Sequence, residues 1–179
     1  MNSNKDDRWS KQLGDFGESL VMYLLGNLKE QRVALVDHVG ADIISTDRLE
    51  NGHRYAISVN GHRYAISVKS RWFKTDDPSL VFEKGDQDKL SEFAKEFNMI
   101  PVVALVMIDK SADVIDAYIM KLNNFKTFAS DPDFQGITFR SGDTLAISNA
   151  QKNQKNLQSN PRIDHSRFTR SQFGHKLDI

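Results

Sequence analysis

Residues 102–108 read Val-Val-Ala-Leu-Val-Met-Ile, an apolar run with no polar interruption that opens directly after Pro101. A strand with one wet face alternates apolar and polar side chains. An unbroken run is what a strand covered on both faces looks like. Such a strand needs layers above and below it, and two amphipathic segments can supply them. Residues 10–30 place Leu13, Phe16, Leu20, Val21, Leu24, Leu25 and Leu28 at helical spacing, with Ser10 available as N-cap. Residues 86–98 bring Leu90, Phe93, Ala94 and Phe97 to one face of a second helix. Between these helices, residues 32–37, 41–46 and 62–71 read as strands.

The remaining chain continues the mixture. Residues 74–85 read as a loop turning at Asp76-Asp77-Pro78, residues 114–120 as a strand, 122–129 as a short helix and 144–148 as an edge strand. The order of helix, three strands, helix, strand, strand predicts an α/β domain with a mixed central sheet flanked by helices. Residues 1–149 form that domain. Residues 150–179 hold few large apolar side chains, six Lys/Arg, two His and two acids, which suits a solvated tail or a basic arm for an acidic partner.

Charge is balanced, 24 basic against 24 acidic residues, so it does not argue for nucleic acid; a basic cleft can still sit on a neutral protein. The absence of cysteine excludes disulfides, zinc-thiolate sites and cysteine nucleophiles. No apolar run is long enough to span a bilayer, and the first residues lack the apolar core of a secretory signal. The expectation is a soluble cytoplasmic protein.

Two segments carry chemistry: Gly40-Ala41-Asp42-Ile43-Ile44 and Ile66-Ser67-Val68-Lys69-Ser70-Arg71. Period-two alternation turns Tyr64, Ile66 and Val68 one way and Arg63, Ala65, Ser67 and Lys69 the other. If the 41–46 strand pairs antiparallel with this one, Asp42 approaches the Ser67–Lys69 end, and Glu18 can reach it from the first helix. A carboxylate that holds a divalent cation, beside a lysine that steadies an anion, suits phosphodiester cleavage. Each residue also has a plainer reading. Asp42 after Gly40 can cap a turn, Lys69 can be a solvated strand end, Glu18 a helix-surface acid and Gln87 a helix-start residue. Arg71 and Lys74 can bind phosphate or simply face water.

The motifs Gly14-Asp15-Phe16-Gly17-Glu18, Gly40-Ala41-Asp42 and Ser67-Val68-Lys69, in this order, resemble those of the PD-(D/E)xK nuclease superfamily, with its restriction-endonuclease-like fold. The closest flavour is that of the Holliday-junction-resolvase-like small nucleases. The resemblance covers roughly residues 10–120 and implies an αβββαβ core. It implies that Asp42 binds Mg²⁺ (or Mn²⁺), that Glu18 assists directly or through water, and that Lys69 orients the attacking water or steadies phosphate charge. It also implies that Gln87 contacts substrate or places the site, and that DNA is the partner. Ser67 stands where the family usually has Glu or Gln, and a hydroxyl is a weaker cation ligand than a carboxylate. The alternative is therefore a nucleic-acid-binding or assembly module that keeps the fold without efficient cleavage. A third reading, a sheet-based interaction protein, draws on the neutral charge.

Residues 51–59 and 60–68 both read NGHRYAISV. Only the second copy runs directly into Lys69; the first has Asn60 at that place. Because a longer loop costs little closure entropy, the second copy is expected in the sheet with the first outside it. A spare apolar strand can also pair with another chain, which allows a homodimer.

Overall fold

A computed structural model of the protein describes residues 4–28, 31–46, 62–73, 79–109, 114–134, 136–140, 143–148 and 151–169. Helix α1 (Asn4–Tyr23) passes into a π-helical turn (Leu24–Leu28). Then follow β1 (Arg32–His38), β2 (Ala41–Thr46), β3 (Arg63–Phe73), β4 (Ser79–Phe82), α2 (Lys84–Glu96), β5 (Ile100–Asp109) and β6 (Val114–Lys121). The chain continues with α3 (Leu122–Ser130), β7 (Ile137–Arg140), β8 (Thr144–Ser148), α4 (Gln151–Ser159) and β9 (Asp164–Thr169). Six strands make one mixed sheet in the order β1-β2-β3-β5-β6-β9, and three make a second sheet, β4-β8-β7. The succession α1, β1, β2, β3, α2, β5 is the αβββαβ order expected from the sequence, with β4 added before α2.

The chain divides into two compact units, Met1–Val68 with Gly85–Val103, and Lys69–Lys84 with Ala104–Ile179. In the first, β1 pairs antiparallel with β2 from Arg32↔Thr46 to Leu35↔Ile43, and a bulge precedes the last pair, His38↔Ala41. β2 pairs antiparallel with β3 from Thr46↔Arg63 to Ile43↔Ile66. Leu20, Val21, Leu24, Ile43, Ile66 and Leu90 form much of its core. The β1–β2 turn has one obligatory residue. Gly40 sits at φ +104°, and a Cβ added there would stand 2.4 Å from the carbonyl oxygen of Lys89 in α2. Only glycine meets both conditions. Nearby, the His38 ring lies 5.0 Å from Phe93 and 6.3 Å from Phe97, centroid to centroid.

In the second unit β6 pairs antiparallel with β9, and β4 and β7 flank β8. The residues of β5 that stood out in the sequence, Val102–Ile108, are all buried, as a strand covered on both faces requires.

Several sequence expectations need correction. α1 starts at Asn4 rather than 10, because its first residues are polar and leave no apolar period to read. Phe16, expected inward, is exposed, as are Trp9 and Tyr23 at seven-residue spacing along the same helix. Phe97, also expected inward, is exposed beside Phe93. The expected loop 74–85 contains β4, whose side chains Leu80 and Phe82 are buried. β8 is the centre of its sheet, not an edge. Residues 150–179, expected as a tail, contribute α4 and β9. The second copy of the repeat supplies β3, while the first copy, residues 51–59, lies outside the described residues.

Candidate active site

The site is built at the end of the β2–β3 ladder. β2 alternates strictly: Ala41, Ile43 and Ser45 are buried, while Asp42, Ile44 and Thr46 are half-buried. Residues opposite one another in an antiparallel pair share a face. Ile44 stands opposite Ala65 and Ile43 opposite Ile66, so the next step along the strands sets Asp42 on the face of Ser67. At this step the backbone pairing stops. The Val68 N–H donates instead to Oδ2 of Asp42 at 2.6 Å. The aspartate side chain thus replaces a main-chain acceptor and joins the Gly-x-Asp segment to the residue preceding Lys69. A bond this short to a charged acceptor is a strong one. A carboxylate accepts at several lone-pair positions, so the bond leaves capacity for a cation.

Ser67 is only 6% exposed. Ala65 on the same face is fully buried, and so is Ile66 on the other, so β3 is covered on both sides here. The sequence pattern had assigned a core to one side alone. Glu18 lies half-buried on α1 next to the buried Gly17. Gly14, by contrast, has open space where a side chain would go, so the first motif does not need it for a close approach. Gln87 lies near the start of α2 and is 3% exposed, and its backbone carbonyl accepts from the Ser91 hydroxyl at 2.7 Å. Its side chain is therefore interior to the first unit. In the second unit, Lys69 is half-buried with Nζ 5.8 Å from the centroid of the Phe82 ring, and Arg71 is half-buried two residues on. Lys74 lies outside the described residues.

Among the described residues no group of three or more His, Asp or Glu is placed to hold a metal ion. This rules out an all-protein cage there, but not Mg²⁺ chemistry. Mg²⁺ is commonly held by one or two carboxylates, with water and substrate phosphate completing its shell. The Asp42 carboxylate, with one hydrogen bond from Val68, fits that sparse arrangement.

One polar constellation was missed in the sequence. Asp116 is 4% exposed on β6, and it accepts from Nε and Nη2 of Arg167, each at 2.8 Å. His165 Nε2 stands 2.8 Å from the same Oδ1. The His165 ring stacks on Tyr118 at 4.9 Å, and Gln158 reaches the Tyr118 hydroxyl at 3.5 Å. The pairing of Asp116 with Arg167 and Tyr118 with His165 across β6 and β9 brings the four together. Burial pushes the Asp116 carboxyl up, but the hydrogen bonds and charges of His165 and Arg167 outweigh it and hold the group below its usual range. Burial, with the Asp116 charge beside it, pushes the Tyr118 phenol up to about 12. His165, one of the two histidines in the segment expected as a tail or arm, is thus part of a folded contact. The signal was present in the sequence: an acid in the middle of the apolar stretch Val114–Met120 must find partners once buried.

No family model matches the chain, and no curated protein does. Among solved structures the chain is similar to Hjc, a Holliday junction resolvase from the archaeal hyperthermophile Archaeoglobus fulgidus. Identity is 18% and the TM-score 0.46, over 76% of this chain and 84% of that one. Among the described residues, no helix is long and apolar enough to cross a membrane.

Proposed function

We propose that the protein is a Mg²⁺- or Mn²⁺-dependent nuclease that cleaves phosphodiester bonds in DNA. The observation that carries this reading is the hydrogen bond from Val68 N–H to the Asp42 carboxylate. It ties the aspartate of one motif to the strand that presents Ser67 and Lys69, so two segments far apart in sequence act as one device. Asp42 and Glu18 would hold the ion, whose charge would offset that of the scissile phosphate. Lys69 orients the attacking water or steadies the phosphate oxygens as the bond from phosphorus to the leaving oxygen breaks. Arg71 and Lys74 lie just past Lys69 in the chain and bind the DNA backbone. The interior position of Gln87 suits a residue that places the site rather than one that touches substrate. The spare copy of the repeat, whose sequence is strand-forming, allows a homodimer.

A second reading is favoured by Ser67. Buried and uncharged on the Asp42 face, it withholds the carboxylate that the motif usually supplies, as in a module that binds DNA without cutting it. Incubation of labelled duplex DNA with the full chain and Mg²⁺ or Mn²⁺ separates the two. Cleavage that disappears in Asp42→Ala and in Lys69→Ala, with circular dichroism unchanged, is the expected result. Salt-dependent binding without cleavage supports the second reading. Full cleavage by either variant overturns the assignment of the site.

A further inference from the structure

We infer that Phe82 is the positioning residue for Lys69. This rests on the nuclease reading above and deepens it. Lysine carries four rotatable bonds, so an ammonium needed at one place must be held there, and strand geometry alone fixes only its Cβ. Within the second unit one holder is visible. The Lys69 ammonium lies 5.8 Å from the centroid of the Phe82 ring. This is inside the range over which a cation is attracted to the negative face of an aromatic ring. The ring itself is fixed. Phe82 is fully buried, its strand pairs Phe82 with Leu145 of β8, and its ring packs 6.3 Å from that of Phe125 in α3. A rigid ring under a flexible cation sets direction without neutralising charge, whereas a carboxylate in that place would compete with the phosphate for the ammonium. Lys69 and Arg71 share one face of β3 by alternation, so a ring beneath the first of these basic residues fixes where its ammonium sits. This also gives β4 a purpose: its last residue carries the ring.

The test replaces Phe82 in the full chain with mono-, di- and pentafluorophenylalanine, which nearly preserve shape while draining the ring's negative face. Two readouts are taken. One is kcat and KM for duplex DNA with Mg²⁺. The other, independent of activity, is the NMR shift of the Lys69 ε-methylene in lysine-labelled protein, assigned by its loss in Lys69→Arg. The expected result is a stepwise fall in kcat, reaching about three- to tenfold in the pentafluoro variant, with KM unchanged. The ε-methylene should also lose its ring-current displacement in Phe82→Leu. A flat kcat across the series, with cleavage measurable, overturns the inference, as does an ε-methylene shift indifferent to Phe82→Leu. Absence of cleavage by the unaltered protein would instead sink the nuclease reading, and the NMR arm would then decide by itself whether Phe82 holds Lys69.

Discussion

Replacing Gly40 by alanine should damage the fold more than one methyl group suggests. Two costs coincide. An L-residue held at φ +104° is strained by about 1–3 kcal/mol. The new Cβ would also lie 2.4 Å from the Lys89 carbonyl oxygen and 2.7 Å from its carbon, both backbone atoms that cannot swing aside. Restoring ordinary contact requires α2 to retreat by about 1 Å, which disturbs the packing of the buried Leu90 and Phe93. Overpacking of this kind costs roughly 1–3 kcal/mol. The sum, about 2–6 kcal/mol, is a large share of the 5–15 kcal/mol typical of a domain. With a urea slope of about 2 kcal/mol per molar, the midpoint should fall by roughly 1–3 M. Gly40→Asn is the informative companion. Asparagine tolerates positive φ but brings the same Cβ, so it should rescue little. Gly14→Ala, placed in a helix with open space around it, should instead stabilise by about 0.5–1 kcal/mol. If Gly40→Ala unfolded within about 0.5 M of the parent, the close approach of the turn to α2 would be refuted.

Other expectations follow from the same geometry. Asp42→Ala strands the Val68 N–H and should cost about 1–3 kcal/mol in chemical denaturation, apart from any effect on activity. Arg167→Ala should cost several kcal/mol, roughly 3–5, by leaving Asp116 buried without its guanidinium; a loss under about 1 kcal/mol would mean that the pair is not formed in solution. Stability should also decline in strong base. The unfolded Tyr118 phenol loses its proton near pH 10 while the folded one holds it to about 12, so its contribution, roughly 3 kcal/mol, is whole below pH 10 and is lost as pH rises through 12. Tyr118→Phe should flatten that limb. Asp116 works with the opposite sign, its contribution present above the ordinary carboxylate range and lost as pH falls below it. Deletion of residues 51–59 should leave a folded protein, checked by circular dichroism and melting; failure to fold would show that the first copy is needed.

What could be read from the sequence was whatever had a period. The β1, β2, β3 and β5 segments and the 86–98 helix were legible because one face of each is apolar at the spacing of its element. The placement of Asp42 followed from strand alternation, and the structure adds the Val68 bond, which no pattern announces. β4 was invisible because its four residues are too few to alternate convincingly. β9, Asp-His-Ser-Arg-Phe-Thr, was invisible for another reason. It is an edge strand held largely by polar side chains, so apolar alternation is absent where it was sought. Phe82 had no local sign at all, since its relation to Lys69 arises only when β4 joins its sheet.

The polar fastening of β9 has a consequence for the order in which the chain is made. Asp116 leaves the ribosome 49 residues before His165 and 51 before Arg167. Until they follow, β6 carries a carboxylate that cannot be buried charged without severe cost, so this side of the sheet must stay open to water or keep the acid protonated. Docking of β6 on this side therefore waits for β9. A chain cut between Ser148 and His165 would hold β1 to β8 and still lack this fastening.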